Sequence, residues 1–201
     1  MLTAAVQKIR DHHEELSKLD AATGDGDHGT TMLRVMEAVD QEIKESADSD
    51  IKSLLYNIGW GIISVDGGAT GPLLGTFFMG MSEGAADNDN PDSDTVAKMF
   101  KAGLTRMQKL SKAKIGDKTM MDALIPAIEE LQESTQTTSD IAEMMKKTSQ
   151  AAVKGAQSTK QLQARCGRAR NLNERTIGHI DPGSRSISYI FEGFSEAISG
   201  K

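Results

Sequence analysis

Three aspartates stand close together in residues 19–32, whose sequence is LDAATGDGDHGTTM. Asp20, Asp25 and Asp27 fall within eight residues, and unneutralised carboxylates this close repel one another. A divalent cation removes that repulsion, and carboxylate oxygens are ligands that Mg2+ and Ca2+ prefer. The spacing is not that of an EF-hand, because the twelfth position counted from Asp20 is Thr31 rather than a bidentate acid. The segment therefore predicts a divalent-cation site, with a solvated acidic turn as the alternative.

The same segment leads directly into a predicted helix. Thr30 or Thr31 is expected to cap this helix, and its unpaired N–H groups and positive dipole end favour an anion. Mg2+ usually bridges carboxylates to substrate phosphates rather than filling an all-protein cage. A cation and an anion at one place predict a phosphate-bearing ligand.

A second Gly-rich segment, residues 66–75 (DGGATGPLLG), also opens a helix. The backbone N–H groups from Gly67 to Gly71 and the hydroxyl of Thr70 are suited to phosphate oxygens, and Pro72 suits the first helical turn. The segment is not a Walker A loop, because no Lys-Ser or Lys-Thr pair follows. The alternative is close helix packing through small residues.

A third segment, residues 116–124 (GDKTMMDAL), predicts a helix start at Thr119. Met120 or Met121 is suited to packing on the face of a purine, because the thioether is polarisable. Packing in the core is the alternative for either side chain.

A fourth segment, residues 167–183 (GRARNLNERTIGHIDPG), is dense in charged side chains, namely Arg168, Arg170, Glu174, Arg175, His179 and Asp181. Arginine suits bidentate phosphate contacts and the charge that develops on a transferring phosphoryl group. The alternative is a web of structural salt bridges, which we expect for Glu174 and Arg175. Asp181, Pro182 and Gly183 predict a tight turn.

The composition limits the class of protein. The chain has 201 residues, a net charge of −6 and only 4% aromatic residues, which argues against a nucleic-acid surface and against a sheet-rich fold. The single Cys166 forms no internal disulfide. The N-terminus lacks the apolar core of a signal peptide, and Gly, Asp and Pro interrupt the most apolar run, residues 51–78. We expect a soluble, cytoplasmic protein that neither binds nucleic acid nor enters a membrane.

Apolar residues recur at helical spacing along most of the chain, and no clear pair of strands appears. The predicted helices cover about 3–18, about 30–43, 51–64, 72–81, 94–110, 119–131, 140–165 and 184–198. Polar breaks at 48–50 and 87–94 separate some of them. The pattern predicts one compact all-α domain over residues 1–201.

Taken together and in order, the motifs GDGDHG, GGATGPLLG, GDKTMMDAL and GRARNLNERTIGHIDPG resemble those of the nucleotide-binding L subunit of dihydroxyacetone kinase, the DAK2 domain family. The resemblance covers nearly the whole chain. It implies an all-α fold of eight antiparallel helices in a closed barrel, with a nucleotide site formed by interhelical loops at one end.

The resemblance also implies roles for individual residues. The aspartates matching Asp20, Asp25 and Asp27 hold two Mg2+ ions that bridge the phosphates, and Arg168 is the expected catalytic residue. With the second Gly-rich loop, Ser111 and Thr119 added, the predicted nucleotide-binding residues are His28, Gly29, Thr30, Thr31, Gly68, Ala69, Thr70, Gly71, Ser111, Thr119, Met120, Arg168, Asp181, Pro182 and Gly183.

The resemblance implies that the L subunit supplies a phosphoryl group from its bound nucleotide to dihydroxyacetone. A separate K subunit holds the dihydroxyacetone covalently on a histidine. Many bacterial L subunits are recharged by a phosphohistidine on an M subunit of the phosphotransferase system, and others use free ATP. The 201 residues contain no K domain, so we expect a multisubunit system. Other hypotheses for the function are a kinase subunit for another small ketose or triose, a nucleotide-sensing regulatory partner without catalysis of its own, and a calcium-stabilised helical protein.

The chain departs from the family pattern at several positions. Members that depend on the phosphotransferase system often have Asn at Thr31 and Gly at Ser111. Departures from the usual GRASYLGERSIGHQDPG include Arg170, Asn171, Asn173 and Ile180. These differences concern the accepted sugar and the docking partners, whereas the three aspartates and Arg168 are retained.

Overall fold

The structure is a computed structural model that describes residues 1–46, 49–66, 68–86 and 90–200. Within these ranges it contains eight α-helices and no strand, so the all-helical prediction is confirmed. The helices are α1 (Leu2–Thr23), α2 (His28–Glu45), α3 (Ile51–Ile63), α4 (Thr70–Gly84), α5 (Ser93–Leu110), α6 (Met121–Ser134), α7 (Ile141–Ser158) and α8 (Pro182–Ser199). Two 3-10 segments, Thr159–Gln161 and Arg168–Thr176, lie between α7 and α8.

Aspartates determine where four of the helices begin. The side chains of Asp50, Asp92 and Asp140 accept the N–H groups of Ser53, Thr95 and Ala142 at 2.8, 2.8 and 2.9 Å. Asp181 accepts the N–H of Ser184 at 2.6 Å in the same way at α8. Each bond satisfies a donor that the first helical turn leaves unpaired, and each is worth about 1 kcal/mol.

The helices contact one another in a closed ring. Each helix contacts the next one along the chain, and α8 contacts α1. This order of contacts is the one that a closed barrel requires. Close approach between neighbours depends on glycine at some points: a Cβ added to Gly59 of α3 would lie 2.8 Å from the carbonyl oxygen of Gly75 of α4.

The apolar faces of the helices meet in one core. The fully buried side chains include Met32, Ile58, Leu104, Leu124 and Phe191, each of which contributes about 1.5–3 kcal/mol by leaving water. Among the described residues, no helix is long and apolar enough to cross a membrane.

Several predicted helix ends differ from those in the structure. Helix α1 continues to Thr23 rather than ending near residue 18, so Asp20 lies in its last turn. Helix α2 begins at His28 with Asp27 in the capping position, so neither Thr30 nor Thr31 caps it. Local propensity places helix ends poorly, because capping depends on which backbone groups the fold leaves unpaired.

Other corrections concern later helices. Helix α5 is capped by Asp92 rather than Ser93 or Asp94, and α6 begins two residues after Thr119, whose hydroxyl accepts the N–H of Met121 at 3.2 Å. Helix α7 ends at Ser158 and does not reach residue 165. The predicted breaks at 48–50 and 87–94 lie partly outside the described residues, and Gly67 lies outside them altogether.

Candidate functional site

A cleft of about 810 Å3 opens at one end of the helical ring. Five stretches of chain line it: the α1–α2 loop, the start of α4, the α5–α6 loop, residues 166–169 and the first turn of α8. These stretches carry all four of the sequence segments that were singled out for their chemistry. Of the predicted nucleotide-binding residues, the cleft lining contains His28, Gly68, Ala69, Thr70, Ser111, Thr119, Met120, Arg168, Asp181, Pro182 and Gly183.

The three aspartates converge at one side of this cleft. Asp20, Asp25 and Asp27 each offer a carboxylate oxygen, and these oxygens lie within 4.8 Å of one another. Asp20 is half-buried because it sits in the last turn of α1, where its Oδ2 accepts the N–H of His28 at 3.2 Å. A set of three carboxylates with a common focus fits Mg2+ or Ca2+, which both take hard oxygen ligands.

Glycine gives the α1–α2 loop the shape that this convergence needs. A Cβ at Gly24 would clash with Oδ1 of Asp20. Gly26 has a φ of +79°, in the left-handed region that side chains with a Cβ rarely adopt. Asp27 stands in the capping position of α2, yet its side chain does not cap the helix, so its carboxylate faces the other two instead.

Arg168 brings positive charge to the same focus. Its Nη1 donates to Oδ2 of Asp25 and lies 3.7 Å from Oδ2 of Asp27. The Arg168 side chain is 64% exposed, so this ion pair lies at the mouth of the cleft. Among the predicted residues of the fourth segment, Arg168 is the one that the structure joins to the aspartates.

His28 begins α2 and is buried at the base of the cleft. Its Nε2 lies 3.2 Å from the hydroxyl oxygen of Ser186 on α8. Burial lowers the pKa of the His28 imidazole, and the nearby Asp20 carboxylate partly opposes this effect. The ring therefore favours its neutral form, which can accept or donate one hydrogen bond at each nitrogen.

Four of the predicted nucleotide-binding residues do not line the cleft. A Cβ at Gly29 would clash with the carbonyl oxygen of His13, so this glycine permits close packing of α2 on α1. Thr31 is buried and Thr30 is exposed. A Cβ at Gly71 would lie 3.1 Å from the carbonyl oxygens of Ile62 in α3 and Val65 just after it, so packing accounts for this glycine too.

The start of α4 forms a second wall of the cleft. Gly68 has a φ of +64° and an open environment, and it leads into Ala69 in the capping position. Thr70 follows as the first helical residue and is 9% exposed. Unpaired N–H groups at the start of a helix are donors for an anion in the cleft.

The α5–α6 loop forms the third wall. The sequence analysis selected neither Lys118 in this loop nor Asp122 in the first turn of α6. Asp122 is buried, and its carboxylate accepts the N–H groups of Gly116 and Thr119 at 2.6 and 2.7 Å. Lys118 lies on the cleft lining with the residue only 2% exposed. No sequence signal shows that a charged residue between Gly116 and Met120 is turned inwards.

The first turn of α8 completes the site. Burial, together with the nearby carboxylates of Asp122 and Asp20, raises the pKa of Asp181 to about 7, although its bond from the Ser184 N–H lowers it. Asp181 caps α8 with the same carboxyl group. A Cβ at Gly183 would lie 3.5 Å from the Cβ of Met120, so α8 and the α5–α6 loop approach each other closely here.

The remaining charged residues of the fourth segment are exposed. Arg170, Glu174, Arg175 and His179 do not line the cleft. The prediction that Glu174 and Arg175 form structural salt bridges is wrong, because neither residue forms an ion pair within the described part of the chain. This stretch instead consists of 3-10 turns interrupted at Asn173, whose φ of +52° and ψ of −130° are not helical.

Comparison with known proteins places this chain in a family. A family model described as the DAK2 domain matches residues 22–196. The chain belongs to the DAK2 domain family. The DAK2 chain is 37% identical over 179 residues to the ADP-binding subunit DhaL of the PEP-dependent dihydroxyacetone kinase of Escherichia coli K12, covering 89% of this chain and 85% of that protein.

A second relative and a solved structure agree with this assignment. The DAK2 chain is 34% identical over 193 residues to the ADP-binding subunit DhaL of the PTS-dependent dihydroxyacetone kinase of Lactococcus lactis, covering 96% of this chain and 92% of that protein. Its fold matches the crystal structure of the dihydroxyacetone kinase of C. freundii in complex with AMP-PNP and Mg2+, with a TM-score of 0.76 and 25% identity. That match covers 98% of the DAK2 chain and 33% of the crystallised chain. The resemblance inferred from the four motifs is confirmed.

Proposed function

We propose that this chain is the ADP- or ATP-binding subunit of a dihydroxyacetone kinase and delivers a phosphoryl group to dihydroxyacetone on a separate K subunit. The observation that carries the proposal is the convergence of Asp20, Asp25 and Asp27 at one side of a cleft lined by helix starts. Similarity to DhaL subunits over most of the chain supports it.

The aspartate cluster supports a Mg2+ site with up to two ions. Three carboxylate oxygens within 4.8 Å of one another form a concentrated negative charge that a lone arginine does not balance. When bound, Mg2+ would screen the phosphate oxygens of the nucleotide from these carboxylates. The related C. freundii kinase was crystallised with AMP-PNP and Mg2+.

The other walls of the cleft are proposed to hold the nucleotide. Gly68, Ala69 and Thr70 present N–H groups and a hydroxyl at the start of α4, which suits phosphate oxygens. Met120 and Ser111 lie on the wall formed by the α5–α6 loop, where an apolar thioether suits the face of a purine.

Phosphoryl transfer depends mainly on positioning and electrostatics. The bond between the γ-phosphorus and its bridging oxygen breaks, and a bond to a hydroxyl oxygen of the sugar forms. Arg168 would steady the charge on the transferring group, and the acceptor and its base would lie on the K subunit. The phosphoryl source is proposed to be a phosphohistidine-bearing M subunit of the phosphotransferase system, and a cytoplasmic location suits these partners.

Calorimetric titration with ADP tests the nucleotide and metal site. Wild type should bind ADP more tightly with Mg2+ than without it, and Asp25→Asn should lose most of this difference. Asp11→Asn is the matched control, because Asp11 is exposed on α1 and bonds only to Gln7 in the described part of the chain. Equal affinity for ADP with and without Mg2+ in all three proteins would contradict the proposed metal bridge.

Reconstitution tests the catalytic role. The chain mixed with a dihydroxyacetone-binding K subunit should form dihydroxyacetone phosphate when phosphorylated M subunit or ATP is supplied. The more active donor identifies the phosphoryl source. Tight binding of Mg2+ and ADP without sugar phosphate from either donor would contradict the kinase assignment and leave a nucleotide-binding role.

A further inference from the structure

Lys118 is a buried cation in the wall of the cleft. The residue is only 2% exposed, whereas lysines are almost never fully buried unless they are paired. Its φ is +60°, in the left-handed region that favours glycine. A lysine held in a disfavoured backbone conformation and removed from water indicates that its side chain meets a specific requirement.

The ammonium group of Lys118 joins two segments that are distant in sequence. Its Nζ donates to the carbonyl oxygen of Thr159 at 2.6 Å and to the carbonyl oxygen of His179. Thr159 directly follows α7, and His179 lies in the loop before α8. One charged donor thus satisfies two backbone acceptors that a neutral side chain of the same length would leave unpaired.

The loop that carries Lys118 is itself held in place. The Asp122 carboxylate accepts the N–H groups of Gly116 and Thr119, on either side of Lys118. The carbonyl oxygen of Asp117 accepts the N–H of Arg165 at 3.1 Å. Lys118 therefore extends from a fixed loop rather than from a mobile one.

The segments that Lys118 joins include part of the proposed nucleotide site. The hydroxyl of Thr159 accepts the N–H of Asp181 at 2.9 Å, and Asp181 caps α8. Gly183, two residues further on, packs closely against Met120. Burial lowers the pKa of Lys118, and the carboxyl groups of Asp181 and Asp122 oppose this effect.

We propose that Lys118 is a positioning residue for the nucleotide cleft: its ammonium group ties the loop before α8 and the end of α7 to the α5–α6 loop. The tie sets the distance between the Asp181–Gly183 turn and Met120, and so the width of the cleft between these two walls. The nucleotide part of this inference rests on the proposed function, whereas the tie itself does not.

Hydrogen–deuterium exchange on the ligand-free chain tests the tie directly. Lys118→Met and Lys118→Gly should each speed the exchange of amides in residues 177–184 by about tenfold or more, since a hydrogen bond to a charged group is lost. Exchange in α2 and α3 should not change. Lys160→Met is the matched control, because Lys160 is exposed, lies next to Thr159 and carries the same charge. Unchanged exchange in both Lys118 variants would overturn the proposal.

Titration with Mg2+ and ADP on the same proteins separates positioning from simple stabilisation. Lys118→Gly removes the disfavoured left-handed side chain, so its thermal unfolding midpoint should exceed that of Lys118→Met. Both variants should nevertheless bind ADP about tenfold more weakly. The factor should be the same with and without Mg2+, because the Lys118 ammonium group bonds to Thr159 and His179 and to none of the three aspartates. If Lys118→Gly instead regained both its stability and the wild-type affinity for ADP, Lys118 would only stabilise the fold. That result would contradict the positioning role.

The two sets of measurements also separate this inference from the proposed function. Failure of wild type to bind ADP would contradict the proposed function, while the exchange experiment would still decide the tie. Binding of ADP by wild type with normal exchange and normal affinity in both Lys118 variants would contradict the tie alone.

Discussion

The ion pair between Arg168 and Asp25 places a protein cation on the carboxylates that are proposed to bind Mg2+. Nη1 of Arg168 contacts Oδ2 of Asp25 and lies 3.7 Å from Oδ2 of Asp27. A guanidinium and a metal ion that share carboxylate ligands compete for them. We therefore expect Arg168→Gln to raise the affinity of the nucleotide-free protein for Mg2+.

The expected size of this effect follows from exposure. The side chains of Arg168 and Asp25 are 64% and 52% exposed, and exposed ion pairs contribute about 0.2–1 kcal/mol. Releasing the pair should therefore strengthen Mg2+ binding by at most about fivefold. Salt screens exposed pairs, so the gain should shrink as ionic strength rises.

Mn2+ titration followed by electron paramagnetic resonance, with Mg2+ competition, measures the affinity. Arg170→Gln is the matched control, because Arg170 is exposed two residues away and forms no ion pair within the described residues. In the reconstituted kinase, Arg168→Gln should slow phosphoryl transfer by about 10^3, the lower end of the effect of a transition-state arginine. Weaker metal binding in Arg168→Gln than in Arg170→Gln would refute the competition.

The other predictions concern stability. Because the folded pKa of Asp181 is about 7 against 3.8 when unfolded, the folded state keeps a proton that the unfolded chain loses. The free energy of unfolding should therefore fall by up to about 4 kcal/mol as pH rises from about 4 to about 7. Asp181→Asn, which keeps a capping oxygen for α8, should flatten this profile in denaturant titrations at each pH. Asp122→Asn should lower the free energy of unfolding in urea by about 1–3 kcal/mol, because one of the two part-buried N–H groups, of Gly116 or Thr119, loses its acceptor. Gly155→Ala should lower the free energy of unfolding by about 1–3 kcal/mol in the same assay, because the new Cβ would overlap the carbonyl oxygen of Asp122. Gly61→Ala is the control and should leave the free energy of unfolding unchanged, since its Cβ would meet only the flexible side chain of Glu42.

Sequence reasoning found the helices because their apolar residues recur at helical spacing, which burial on one face imposes. The third predicted helix, at 51–64, agrees with α3 to one residue. The errors of the sequence-based prediction fall at helix ends such as those of α1 and α7. There the outcome depends on unpaired backbone groups and on neighbouring segments, which local spacing does not describe.

Sequence reasoning also selected most of the cleft lining, because the chemistry of phosphate and metal binding needs unusual local composition. A cluster of aspartates and glycines has few structural uses, so residues 19–32 were conspicuous. Gly29 and Gly71 show the limit of this reasoning: in the structure each allows a close backbone approach, and composition alone does not separate packing from ligand binding.

The sequence by itself determined the helical class and the family, and it predicted the cluster of three aspartates, because periodicity and short motifs are properties of neighbouring residues. Only the tertiary structure decided that Arg168 meets Asp25, 143 residues away, and that Lys118 turns inwards to the carbonyl oxygens of Thr159 and His179. Such contacts depend on how separate helices pack around a common core. The burial and the electrostatic partner of a charged side chain are set by that packing and are not written in its local sequence.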